Sequence, residues 1–168
     1  MVTSKVQDSL FLLSGIIGAC ILLFGLTQTP AQVYYVIGST LLLFTSLHFR
    51  LLYFIALEMI LIAGHGAILL HISNTLQIAL PVLLSVQLLV FYLLSGQLNN
   101  LFLLIGISGI AFLSIGFAYE NQWIFFFGGL SIAIYAFHCA YRGKLITLLW
   151  AILNTLFALI AVYKLFFS

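Results

Sequence analysis

Glu58 and His65 are the residues of this chain most capable of chemistry, because both lie inside an apolar stretch and seven residues separate them. On a helix that spacing brings the two side chains to nearly the same face. A carboxyl and an imidazole so placed can hold a proton, pass it on, or line a polar cavity. The plainer possibility is a neutral carboxyl bonded to a neighbouring helix, with His65 packed between Gly64 and Gly66. An ionisable residue kept at membrane depth is a functional hypothesis by default, since its charge is expensive there. Gln87 lies in the middle of a later apolar stretch and Asn154 within the last one, so each adds an amide to the set. Trp123, Phe126, Tyr135 and Trp150 add aromatic surface. Trp123 opens its stretch, where aromatic residues serve as interface anchors, while Trp150 lies deeper and is better suited to stacking on a ligand.

These residues need elements to hold them, and composition says what the elements are. Of 168 residues 65% are apolar and 5% charged, against about 25% charged in an average soluble domain. This is the composition of an all-α polytopic membrane protein. A helix needs about 20 residues to cross the hydrocarbon, and the polar, Gly and Pro breaks mark seven such segments. The first begins near Leu10 and ends at Thr27–Pro30; the second runs from Gln32 to the break at His48–Arg50. The third spans Leu51 to Ile72, and the fourth opens at Ser73, contains Pro81 and ends across Gly96–Asn100. The fifth covers Leu101 to Phe117, the sixth Trp123 to Tyr141, and the seventh follows Arg142–Lys144. The run after Lys5 reads as the first spanning helix rather than a cleaved leader, because Asp8 interrupts the positive region and no small-x-small site follows. Lys5, Arg50, Arg142 and Lys144 fall on one side in this count, with Lys164 and Glu120 on the other. The excess of positive charge predicts a cytoplasmic N-terminus and an outside C-terminus, in a multi-pass protein of a membrane such as the bacterial inner membrane.

The halves of the chain repeat. Leu10–Gly25 overlies Leu101–Gly116 at an offset of 91, with nine of sixteen positions identical, including Gly15, Gly18 and Gly25 over Gly106, Gly109 and Gly116. At that offset Gly38 meets Gly129, and the register then drifts so that Ala56–Ala63 best overlies Ala151–Ala158. Glu58 then falls within one residue of the position matching Asn154. The predicted organisation is three helices, one linker helix and three helices, as units 1–73, 74–99 and 100–168. An odd linker makes the repeats parallel, a recurring transporter design with its substrate site at the repeat interface near the midplane. Glu58, Asn154, Gln87, Trp123, Phe126 and Trp150 are therefore the expected substrate-binding residues, and Glu58 and His65 the expected proton relay. The glycines fit close helix packing whatever the function.

Other functions are set aside at this stage. A net charge of +2 without a basic patch offers nothing to nucleic acid. No nucleophile elbow, H-E-x-x-H motif or phosphate loop is present, so no enzyme, cofactor or metal is expected. Cys20 and Cys139 lie within apolar runs and read as small buried hydrophobes rather than a disulfide. The expected partners are the lipid bilayer and a small-molecule solute, in a homo-oligomer, a larger membrane complex or alone.

Two resemblances add to this. Two parallel three-helix bundles with a linker helix resemble the sugar-conducting SWEET proteins and the related bacterial transporters of nicotinamide riboside. The likeness in sequence covers about forty residues: W-I-F-F-F-G-G-L-S-I-A-I-Y from Trp123 to Tyr135, then Tyr141–Trp150, and Ala161–Lys164. Phe126 stands where those proteins carry a second Trp, and the Pro-Gln pair of SWEET first helices is echoed by Pro30-Ala31-Gln32. The resemblance implies facilitated passage of a small polar solute by alternating access, with Trp123, Phe126 and Asn154 as binding positions. Separately, Arg50–Met59 is similar to the L-E-M stretch of the K-type subunit of respiratory complex I and its antiporter relatives. That likeness implies a membrane subunit of a proton-translocating complex with Glu58 in the proton path and Gln87 near the place of that family's second carboxylate. A scaffold or assembly role without transport is the remaining alternative.

Overall fold

The computed structural model describes residues 2–98 and 100–167, with side chains from Lys5 onward; Asn99, part of the expected break before the fifth helix, lies outside the described residues. Among the described residues seven α-helices follow one another with short connections: α1 Val2–Gly25, α2 Ala31–His48, α3 Leu52–Leu69, α4 Asn74–Leu94, α5 Leu101–Tyr119, α6 Gln122–Tyr141 and α7 Leu148–Phe167. A 3-10 turn, Leu145–Thr147, leads into the last. Helix is the form that apolar surroundings dictate, because it satisfies its backbone hydrogen bonds within the segment. Six of the helices are long and apolar enough to cross a membrane, α2 being the exception. The polar residues Gln32, Ser39, Thr40, Thr45, Ser46 and His48 dilute α2. The first helix begins earlier than the sequence suggests, taking Lys5 and Asp8 into its opening turns.

Specific residues set the helix ends. Asn100 caps α5 by accepting from the Phe102 amide at 2.8 Å, and Asn121 caps α6 by accepting from the Trp123 and Ile124 amides. Such caps satisfy amides that the first turn leaves open. At the other ends the chain turns through a left-handed residue, Arg50 after α2 and Gly143 after α6. In both, the next amide reaches back to the last turn, Leu51 to the Ser46 carbonyl and Lys144 to that of Cys139.

The chain divides into two compact units, Met1–Leu70 and His71–Ser168. In the first, α2 packs against both α1 and α3; in the second, α6 packs against both α5 and α7, and α4 lies on α5. Bare glycine surfaces set the closest approaches. A Cβ on Gly18 would meet the Gly38 carbonyl oxygen at 2.7 Å, and one on Gly128 would meet the Leu113 amide nitrogen at 2.5 Å. No side chain fits either place without moving backbone. Cys139 is half-buried but Cys20 is exposed, and both are free thiols. Cys20 thus departs from the expectation of burial: an apolar run does not distinguish a face turned to other helices from one suited to lipid.

Candidate functional site

In the first unit, Glu58 and His65 are both buried on α3, at 1% and 2% exposure. They belong to one stripe, Phe54, Glu58, Leu61 and His65, whose spacing follows the helical repeat. The stripe faces α2, because the His65 ring lies 4.9 Å from that of Tyr35. Tyr35, Ser39, Leu42 and Ser46 are buried at the same spacing on α2, with Tyr35 and Leu42 also close to Gly25 and Gly18 of α1. The residues of the two stripes therefore supply a carboxyl, an imidazole, a phenol and two serine hydroxyls.

The second unit orders its counterparts differently. Trp150 is fully buried near the start of α7, and one turn later the buried Asn154 donates its amide Nδ2 to the Trp150 carbonyl at 2.9 Å. That bond turns the Asn154 amide along its own helix. Gly129 of α6 faces this stretch, and a Cβ there would meet the Asn154 carbonyl oxygen at 3.0 Å. Trp123 is exposed at the start of α6, as an interface anchor would be. Phe126 is half-buried with its ring against Phe127, and Gln87 lies on the exposed face of α4. Of the expected residues, Glu58 and His65 thus share one seam, and Trp150 and Asn154 adjoin on one helix.

Each unit also carries a histidine site that sequence reasoning missed. His48, the last residue of α2, stacks on Phe11 of α1 at 4.1 Å and 11° and bonds the Asp8 carboxylate through Nε2 at 2.7 Å. His138 of α6 stacks on Phe102 of α5 at 4.2 Å and 9°, with Nε2 2.8 Å from the Asn100 amide nitrogen. Asn100 already uses its oxygen to cap α5, so its nitrogen donates to His138. His138 Nε2 is then the acceptor, and the proton of the neutral ring is on Nδ1. His48 can instead donate to a carboxylate, and the contact becomes an ion pair when the ring is protonated. The signal was present in the repeat, which aligns Phe11 with Phe102, but the histidines lie on other helices and only packing brings them to the phenylalanines.

Chemically, the seam of the first unit can bind and release protons or hydrogen-bond a polar solute. Among the described residues, no three His, Cys, Asp or Glu side chains gather as metal ligands would. No protein family matches the chain, nor does any curated protein or solved structure.

Proposed function

We propose that this protein is a membrane facilitator of a small polar solute, such as a vitamin, nucleoside or sugar, working by alternating access of two three-helix repeats. The observation that carries the reading is the buried polar seam of the first unit, where Glu58 and His65 lie on α3, a helix long and apolar enough to span a membrane, against the α2 helix that carries Tyr35 and Ser39. Polar groups at that depth are retained chiefly along solute and ion pathways. The short connections between helices leave no room for a soluble binding domain.

The internal geometry of the two units supports the duplication that this reading assumes. The paired sites Phe11 with His48 and Phe102 with His138 align at offsets of 91 and 90. A Cβ on Gly18 would meet Leu41 and Leu42, and one on Gly109 would meet Ser131 and Ile132, again at an offset of 90 across the second helix. That register pairs Gly38 with Gly128 rather than Gly129, since both approach a leucine of the preceding helix, Leu22 or Leu113. On the third helix the buried residues Phe54, Leu57, Glu58, Leu61 and His65 align with the buried Trp150, Leu153, Asn154, Phe157 and Ala161 at an offset of 96. In this register Glu58 and Asn154 are counterparts.

The test is a thermal-stability screen of the purified protein against vitamins, nucleosides and sugars, followed by uptake into proteoliposomes. A ligand that raises the melting temperature, and whose uptake falls when Glu58 or Trp150 is replaced, supports the reading. Silence across the panel from a protein that copurifies with large multi-helix partners overturns it in favour of a complex subunit.

A further inference from the structure

Ser39 departs from ordinary helix packing, as Ser114 of α5 does in the other unit, where no carboxyl or imidazole is on the same stripe. Buried hydroxyls on helices usually turn back to a carbonyl of the preceding turn, and the neighbours of Ser39 do so. Thr40 donates to the Val36 carbonyl, Thr45 to those of Leu41 and Phe11, and Ser46 to that of Leu43. The Ser39 hydroxyl is fully buried and has no hydrogen-bond partner among the described residues. A buried hydroxyl without a partner is destabilising by about 1–3 kcal/mol, and native structures leave few such groups. Ser39 is one turn beyond Tyr35, whose ring meets that of His65, and is thus on the side of α2 nearest Tyr35 and the seam with α3.

We propose that this seam is a proton-binding site, with Glu58 as the proton carrier and Ser39, Tyr35 and His65 as the hydrogen-bonding groups around it. The inference rests on the transport reading and names an ion that the same seam binds. The chemistry of the seam favours a proton over other small occupants. Glu58 is its only carboxylate, no lysine or arginine lies on either facing stripe, and one carboxylate supplies too few oxygens to cage a metal cation. α2 is the element of this unit packed against α3, and its facing stripe contributes Tyr35 as its only titratable group. α3 itself contributes Glu58, His65 and Tyr53, with Arg50 just before its start. Binding joins one proton from water to the carboxylate to give the neutral carboxyl; release returns it. The Ser39 hydroxyl suits both states, since it can donate to the carboxylate and accept from the carboxyl.

Infrared difference spectra of the full chain in lipid membranes, perfused alternately with acidic and alkaline buffer, test this directly. A carboxylic-acid carbonyl band that appears on acidification and disappears completely in Glu58→Gln is expected. That band should shift in frequency in Ser39→Ala and in His65→Gln, and stay in place in Ser114→Ala, which removes a buried hydroxyl from α5 of the other unit. Glu58→Asp, which keeps a carboxyl on a shorter arm, should shift the band and serves where Glu58→Gln does not fold. A spectrum indifferent to Glu58, a band unmoved by Ser39→Ala, or a response to sodium but not to pH overturns the proposal. The readout needs no solute, so a silent solute screen with a titrating Glu58 refutes transport alone, and the converse refutes the proton site alone.

Discussion

Helices α2 and α3 of the first unit meet across Tyr35, Ser39, Glu58 and His65, whereas α6 of the second unit meets α7 through Gly129, against Asn154 and Ala158. Both seams follow the same order of elements, yet one holds groups that can exchange protons and the other is closed by small residues. In the proposed register, Ser39 stands where the second unit has Gly129, and His65 where it has Ala161. The histidine sites differ in the same direction, with a carboxylate beside His48 and a neutral amide beside His138. Similar scaffolds thus carry unequal chemistry: the first unit keeps ionisable partners where the second replaces them with neutral or smaller ones. This asymmetry shifts the weight of the candidate site onto Glu58 and its neighbours. Asn154, the counterpart of Glu58 in the proposed register, is bonded along its own helix.

The comparison can be broken at several points. The largest effect is expected from Gly128→Ala, since a Cβ there would lie 2.5 Å from backbone; a loss of about 3 kcal/mol, at the upper end of overpacking effects, should show as a clearly lower melting midpoint in detergent. A smaller loss, about 1–2 kcal/mol, is expected from Gly129→Ser, which brings the first unit's hydroxyl into the second unit's seam. Unchanged melting of that variant would mean that the second seam has room for a polar group, and the contrast would fail. Asp8→Asn makes the first histidine site chemically like the second. Because Asp8 is largely exposed, the loss should stay below about 1 kcal/mol, and hydrogen exchange at the end of α2 should report it more sensitively than melting does. Gly66→Ala is the smallest change, since nothing lies within 4 Å of the added atom. A gain of about 0.5 kcal/mol from helix propensity would confirm that penalties at Gly128 and Gly129 come from packing.

The sequence alone determined the class of protein and its segments. A charge content of 5% leaves few ways to fold except as helices in lipid, and breaks such as His48–Arg50 and Arg142–Lys144 end helices because polar side chains and left-handed residues fit poorly inside a span. The likeness of Leu10–Gly25 to Leu101–Gly116 is also in the sequence, and glycines within it, such as Gly18 and Gly109, mark close helix approaches. Which polar residue faces which was not legible there. An α-helix wholly apolar around its circumference has no face that sequence can recognise, so Cys20 and Gln87 read as interior although both are exposed. Ser39 among the hydroxyls of α2 gave no sign of its role, and the meetings of Phe11 with His48 and of Tyr35 with His65 join residues some thirty positions apart. Only tertiary structure decides these, because rotation of each helix about its axis is fixed by close packing against its neighbours and not by the residues of the helix itself.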